Sequence, residues 1–118
     1  MRSVSSSSSG VVFLDRARVL ADVRAAVKRF VTRHPGVREV WLFGSLARGD
    51  ATPRSDVDLL VVVDQDERRP PDRIPDVLRS LEGLGRPADV IVLTAAEWAR
   101  RADSRFHQEV TTRGLRLA

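Results

Sequence analysis

The spacing of apolar residues along the first third of the chain predicts one amphipathic helix. Between Asp15 and Arg33, apolar side chains recur every three or four residues, and basic side chains lie largely between them. The tripeptide His34-Pro35-Gly36 follows, and both proline and glycine interrupt a helix. We therefore expect a helix from about Asp15 to Arg33.

Three apolar segments have the length and composition of β-strands. They are Val37–Phe43, Asp56–Val63 and Ala88–Leu93. The second segment is apolar at every position from Leu59 onward, which is typical of a central strand covered on both faces. A predicted helix separates the second strand from the third, so we expect these two strands to be parallel.

Two further helices are predicted between and after the last two strands. Asp64–Asp72 is a charged loop, and the helix that follows it extends to about Leu84. The apolar face of that helix comprises Ile74, Val77, Leu78 and Leu81. After the third strand, Thr94 and Glu97 have the spacing of a capping box, which marks the start of another helix.

The order of all these elements predicts the fold class. One short helical turn is expected over Ser45–Arg48, and a last helix around Phe106 and Val110 ends at Gly114. The main elements then follow in the order helix, strand, strand, helix, strand, helix, helix. This order predicts an α/β (α+β) fold with a small mixed sheet flanked by helices.

Length and composition are those of one globular domain. The 118 residues are 42% hydrophobic, which is enough for one buried core. We expect residues 1–12 to form a flexible serine-rich tail and residues 13–118 to form a single domain. The sequence has no apolar run of membrane-spanning length, no secretory signal and no cysteine. We therefore expect a cytoplasmic protein without a membrane partner.

The distribution of charge indicates where the chemistry lies. The formal net charge is +4, yet residues 49–96 carry 10 acidic and 6 basic side chains, so the basic surplus flanks an acidic centre. No aromatic-rich stacking surface accompanies the arginines, and direct nucleic-acid binding is therefore not expected. Because there is no cysteine, any metal must be held by oxygen or histidine.

Two aspartates at the start of the second strand are candidate metal ligands. Asp56 and Asp58 are two residues apart, so on a strand they point to the same face with Cα atoms about 6.5–7 Å apart. Two carboxylates at that spacing can share a pair of hard cations, which lie about 3.5–4 Å apart in two-metal phosphoryl sites. Taken alone, the pair is equally well explained as solvated aspartates at a strand end.

Two other features converge on the same predicted sheet edge. Gly44-Ser45 ends the first strand, and its backbone amides and hydroxyl can donate to phosphate oxygens, although an ordinary strand-to-helix turn has the same sequence. Asp89 precedes the buried run of the third strand, as Asp56 and Asp58 precede theirs. A phosphate cradle and three carboxylates would then face one cleft, unless Asp89 is only a turn residue.

These motifs together resemble a known family. Gly44-Ser45, ten intervening residues and Asp56-Val57-Asp58 match the GSX10DXD signature of the DNA polymerase β-like nucleotidyltransferase superfamily. The neighbouring Ala47-Arg48-Gly49 and Ser55-Asp56-Val57-Asp58-Leu59 resemble its bacterial minimal nucleotidyltransferase (MNT) branch. Leu46 stands where many relatives have a basic residue, so a phosphate contact from that position is lost.

The resemblance implies a nucleotidyltransferase fold and a role for each motif residue. Asp56 and Asp58 would bind two Mg²⁺ ions, and Asp89 would bind the ion that activates the attacking hydroxyl. Gly44 and Ser45 would hold the triphosphate of ATP, whose α-phosphorus is attacked as pyrophosphate leaves. Arg48 would contact a phosphate or a partner's acid, or would merely cap the turn.

The resemblance also implies a partner. Small MNT proteins resemble antitoxins whose cognate toxin is a HEPN-type ribonuclease, and the family activity is adenylylation of a tyrosine on that toxin. One alternative is a transferase for a small molecule such as an aminoglycoside, although the roughly thirty residues after Asp89 are too few for the helical acceptor domain such enzymes need. The other alternative is an antitoxin that only masks its toxin.

Overall fold

The computed structural model describes residues 14–118, so the predicted tail over residues 1–12 lies outside the described residues. The described part contains five helices and four strands. In chain order they are α1 Arg16–Arg33, β1 Val37–Phe43, α2 Gly44–Arg48, β2 Val57–Val63, α3 Pro70–Ser80, β3 Ala88–Thr94, α4 Ala95–Arg100, α5 Arg105–Arg113 and β4 Leu115–Arg116. None of the helices over residues 14–118 is long and apolar enough to cross a membrane.

The four strands form one mixed sheet in the order β3-β2-β1-β4. β1 is antiparallel to both β2 and β4, whereas β2 and β3 are parallel. The α/β (α+β) class, the central position of β2 and the parallel pairing of β2 with β3 are confirmed. The parallel pairing arises because the chain returns through α3 before it enters β3.

The two faces of the sheet carry separate apolar clusters. Leu59 and Val61 of β2 pack with α1 and α3 in the larger cluster. Leu60 and Val62 point the other way and pack with Trp98 of α4 and Val110 of α5. Three further aromatic side chains contact this second cluster, namely Trp41, Phe43 and Phe106. We call the side of the sheet with Leu60 and Val62 the aromatic face.

Helix α3 differs from its prediction at both ends. It begins at Pro70, within the predicted loop Asp64–Asp72, because proline needs no hydrogen-bond acceptor in the first turn of a helix. It ends at Ser80, before the predicted end at Leu84, and Pro75 lies inside it. The sequence places Pro70 and Pro71 in the predicted loop, whereas the structure has both in the first turn of α3; Pro75 lies inside the helix in the prediction and in the structure.

The buried side of α3 also differs from its prediction. Leu78 is 42% exposed, whereas Arg73 is 3% exposed. Arg73 can replace an apolar residue in the interior because its guanidinium donates to Glu97 and to the backbone oxygens of Asp66, Arg68 and Val92. Two smaller differences are that β2 begins one residue after Asp56 and that the two-residue strand β4 was not predicted.

Candidate active site

Three strand ends meet at one edge of the sheet. Phe43, the last residue of β1, pairs with Asp58 near the start of β2. Asp58 in turn pairs with Asp89 near the start of β3. The antiparallel and parallel pairings bring the end of β1 and the starts of β2 and β3 together. The structure therefore brings Gly44, Asp58 and Asp89 to one edge, as the sequence predicts.

Asp58 and Asp89 lie on the aromatic face of the sheet. Their strand neighbours Val57 and Val90 belong to the larger cluster on the opposite face. Because successive strand residues alternate between faces, Asp58 shares the face of Leu60, and Asp89 shares that of Leu93. Two carboxylates in register on neighbouring strands thus project to the same side.

Gly44 fits against Asp58 because it has no side chain. Its φ is +76°, a conformation that L-residues with a Cβ rarely adopt. A Cβ added to Gly44 would also overlap the Oδ2 atom of Asp58. The turn between β1 and α2 therefore requires glycine for two independent reasons, and it holds the backbone against this carboxylate.

The first turn of α2 retains donors for an anion. No side chain caps this helix at Phe43, so its first N–H groups have no side-chain acceptor there. Ser45 follows Gly44 and is half-buried in that turn. Gly44 and Ser45 together present backbone amides and a hydroxyl beside Asp58, which is the arrangement that can hold a phosphate.

The electrostatics of the edge are those of carboxylates that repel one another. Burial raises the pKa of Asp58, and the negative charges of Asp89 and Asp56 raise it further, while Arg48 opposes the shift. Asp56, just before β2, and Asp89 are both exposed, so solvent and ligands reach them. Carboxylates in mutual repulsion beside donor groups have the chemistry that divalent cations prefer. The donor set therefore fits Mg²⁺.

Asp56, Asp58 and Asp89 are close enough to repel one another, but their carboxylates do not converge on one point. Within residues 14–118, no three Asp, Glu or His side chains are arranged closely enough to hold a metal ion as they stand. The fit of this edge to Mg²⁺ therefore rests on the type and charge of the donors. Their side chains would have to turn inward to hold a cation.

Arg48 lies at the end of α2 between carboxylates of its own chain. Its Nε lies 3.3 Å from Oδ2 of Asp50, and its Nη1 lies 3.9 Å from Oε2 of Glu109 on α5. Its charge nevertheless reaches Asp58 and lowers the pKa of that carboxyl. Arg48 is thus paired with carboxylates of its own chain, and its contact with a phosphate or a partner's acid stays a prediction.

Two arginines that the sequence did not single out position the motif loops. Arg16 of α1 donates to the backbone oxygens of Leu46 and Ala47, each at 3.1 Å, and so fixes the end of α2. Arg86 donates to the backbone oxygen of Ser55 at 3.1 Å, one residue before Asp56. Both contacts join residues about thirty positions apart. No local pattern signals them, since an arginine on a helix or in a loop is usually solvated.

Comparison with known proteins identifies a family and a fold. The nucleotidyltransferase domain family model matches residues 23–110. A solved structure of a putative nucleotidyltransferase from Sulfolobus solfataricus is 30% identical, with a TM-score of 0.62, over 86% of this chain and 80% of that chain. No curated protein matches the sequence.

Two solved toxin–antitoxin structures share the fold at lower identity. One, a toxin–antitoxin with AMP-PNP, is 21% identical, with a TM-score of 0.58, over 80% of this chain and 72% of that chain. The other, a mutant of the toxin–antitoxin MntA-HpeT, is 19% identical, with a TM-score of 0.50, over 89% and 73%. The family match covers most of the chain, including every motif residue at the sheet edge. This chain belongs to the nucleotidyltransferase domain family.

Proposed function

We propose that this protein is a Mg²⁺-dependent adenylyltransferase that transfers AMP from ATP to a tyrosine of a cognate HEPN-type ribonuclease toxin and so acts as an antitoxin. Membership of the nucleotidyltransferase family supports the reaction class. The fold shared with two toxin–antitoxin structures, one of them with AMP-PNP, supports the context and the nucleotide. The resemblance of Ala47-Arg48-Gly49 to the MNT branch supports the same assignment.

One observation carries the proposal, namely the seating of the Gly44 backbone against the Asp58 carboxylate with Asp89 opposite Asp58 in register. A triphosphate held by Gly44 and Ser45 would lie directly beside the carboxylates. Asp56 and Asp58 would bind both Mg²⁺ ions, which neutralise charge on the reacting phosphate. Asp89 would orient the acceptor hydroxyl toward the α-phosphorus.

The reaction proposed for this site is an in-line displacement. The acceptor oxygen forms a bond to the α-phosphorus, the bond from that phosphorus to the bridging oxygen breaks, and pyrophosphate leaves. Asp89 is exposed and lies on β3, which is an outer strand of the sheet, so an acceptor from another chain can approach it. Arg48 lies near Glu109 of α5, and its positive charge partly offsets the carboxylate charge around Asp58.

The test is transfer to the product of the neighbouring gene. The protein, that partner, Mg²⁺ and ATP are incubated together, and intact-mass spectrometry measures the partner. We expect the partner to gain the mass of one or more AMP groups, and tandem mass spectrometry to place them on tyrosine. Asp58→Asn is the inactive control.

Two other results would identify the alternatives. A stable complex with an unmodified partner would support an antitoxin that masks its toxin. Modification of an aminoglycoside, with none on the partner, would support a small-molecule transferase.

A further inference from the structure

A concave patch beside Asp89 is lined by none of the residues proposed to hold nucleotide or metal. We propose that it docks the acceptor, a polypeptide segment that presents a tyrosine flanked by acidic side chains. This inference rests on the proposed function, because it assigns the surface from which the acceptor hydroxyl reaches the nucleotide.

The patch begins with an exposed isoleucine. Among the large apolar side chains of residues 14–118, only Ile91 and Leu78 are exposed, at 36% and 42%. Ile91 lies two residues after Asp89 on β3, so both side chains point to the aromatic face. It lines a cavity of about 270 Å³ together with Leu93, Arg101 and Phe106.

The position of Ile91 suits an aromatic acceptor. Residues two apart on a strand are separated by about 6.5–7 Å, which is comparable to the reach of a tyrosine side chain. A phenol ring that packs on Ile91 can therefore carry its hydroxyl toward Asp89. Since β3 is the outer strand of the sheet, a second chain can approach Ile91 from the open side.

Basic residues lie in the patch and beside it along the chain. Arg101 lines the cavity, Arg100 ends α4, Arg105 begins α5, and Asp103 is the acidic residue between them. All three arginines are exposed, and none forms a salt bridge with another of the described residues. A cluster of exposed cations beside an apolar contact favours a partner that carries acidic side chains around its apolar anchor.

A protein segment fits this patch better than a nucleic acid does. Single-stranded nucleic acids bind to basic surfaces that also offer aromatic faces for stacking. The ring of Phe106 is already packed edge-to-face, with its centroid 5.3 Å from that of Phe43 and 6.1 Å from that of Trp98. The exposed apolar side chain of the patch is that of Ile91, which is aliphatic.

The test measures binding of defined peptides to the protein loaded with Mg²⁺ and AMP-PNP. The probe is a fluorescent peptide with one tyrosine between pairs of glutamates. Its controls carry lysines in place of the glutamates, or phenylalanine in place of the tyrosine. Fluorescence anisotropy should show the strongest binding for the glutamate–tyrosine peptide, and the lysine peptide should bind at least about tenfold more weakly.

Matched variants locate the binding surface. Ile91→Glu and Arg101→Glu should each weaken binding of the acidic peptide about tenfold or more, since they remove the apolar contact or reverse the charge. Leu78→Glu and Arg24→Glu make the same changes at exposed positions on α3 and α1, and they should leave binding unchanged. Ile91→Ala introduces no charge and should give a smaller loss of binding. It tests the apolar contact even if Ile91→Glu does not fold.

The outcomes separate this inference from the proposed function. Equal binding by wild-type protein, Ile91→Ala and Arg101→Glu would overturn the docking surface. Tighter binding of the lysine peptide or of a single-stranded oligonucleotide would also overturn it, as would no detectable binding of any probe. Failure of the proposed function would appear separately. The wild-type protein would then not bind AMP-PNP, or it would show no AMP transfer that Asp58→Asn abolishes. If transfer to the natural partner occurs, Ile91→Ala should raise its KM and leave kcat nearly unchanged.

Discussion

The backbone of Gly44 lies so close to Asp58 that any side chain at position 44 would overlap the Oδ2 atom of that carboxylate. The contact joins the turn after β1 to the start of β2. The geometry of the turn at Gly44 and Ser45, which is proposed to hold the triphosphate, therefore depends on the position of a proposed metal ligand. This dependence gives the first prediction.

Gly44→Ala should destabilise the protein and weaken nucleotide binding. The alanine must adopt a positive φ, which costs about 1–2 kcal/mol, and its Cβ must also displace the Asp58 carboxylate. Gly85→Ala is the matched control, because Gly85 has a φ of +74° but no atom within 4 Å of an added Cβ. Urea denaturation and calorimetric titration with AMP-PNP measure both effects. Equal losses for the two variants would mean that the contact with Asp58 has no consequence.

Asp56→Asn should abolish nucleotidyl transfer while the fold is retained. Asp56 is exposed just before β2, so its amide analogue costs little stability but removes charge from the proposed metal site. We expect at least about a hundredfold loss of kcat at saturating Mg²⁺ and ATP. Asp103→Asn removes a charge from another exposed aspartate and should be fully active. Activity retained in Asp56→Asn would rule out this residue as a metal ligand.

Ser45→Ala should have a milder effect than loss of an aspartate. The backbone amides of the turn remain, and a hydrogen bond to a charged group contributes about 1.5–3 kcal/mol, or roughly 10- to 150-fold in affinity. Titration with AMP-PNP measures this loss. Ser80→Ala removes a hydroxyl that bonds to a backbone oxygen on α3 and should not change the affinity. An unchanged affinity in Ser45→Ala would remove Ser45 from the nucleotide site.

The local pattern of the sequence was enough to predict the elements that form the site. The apolar run from Leu59 identifies a central strand, and the spacing from Gly44-Ser45 to Asp56 and Asp58 identifies the motif. The helix between the second and third strands predicts that they are parallel, whereas the register that pairs Asp58 with Asp89 is seen only in the structure. The elements that form this edge are therefore encoded within short segments.

Contacts between distant segments could not be predicted in the same way. Arg73 is polar, yet it is buried because Glu97 and three backbone oxygens from other parts of the chain satisfy its guanidinium. Arg16 is exposed and Arg86 is half-buried, but their guanidiniums also bond to backbone oxygens of distant loops around the site. Only the tertiary structure supplies these acceptors, so composition and periodicity assign all three arginines to the surface.

The buried pair of Arg73 and Glu97 should stabilise the fold in a pH-dependent manner. Hydrogen bonds from Arg73 and from the backbone of Thr94 lower the pKa of Glu97 from its ordinary value of 4.5 to about 2. The resulting stabilisation is present above pH 4.5 and is lost as the pH falls from 4.5 toward 2. Glu97→Gln should cost about 3 kcal/mol at pH 7, because it removes the nearer carboxylate from the buried Arg73 charge and leaves only Asp66, at 3.9 Å.

A surface ion pair provides the control for that prediction. Arg38 and Asp64 are 3.0 Å apart, with side chains 60% and 53% exposed. Asp64→Asn should therefore change the free energy of unfolding by less than about 1 kcal/mol. Urea denaturation at pH 7 and pH 3 compares the variants. A cost for Glu97→Gln as small as that of Asp64→Asn would mean that the buried pair makes no net contribution.

Asp58→Asn should separate the metal-free stability of the protein from its response to ligand. In the metal-free protein, burial and the charges of Asp89 and Asp56 raise the pKa of Asp58, so the folded state binds its proton more tightly than the unfolded state does. The ionised carboxylate therefore destabilises the fold as the pH rises through this raised pKa. Asparagine keeps the shape and removes the charge, so at pH 7 the variant should melt at an equal or higher temperature in chelator.

The same variant should gain no stability from Mg²⁺ and ATP, because a ligand that no longer binds the native state cannot shift the unfolding equilibrium. Thermal melts of both proteins, in chelator and in Mg²⁺–ATP, measure the two effects. A variant less stable in chelator would assign Asp58 a structural hydrogen-bonding role, and one still stabilised by Mg²⁺–ATP would place the nucleotide elsewhere.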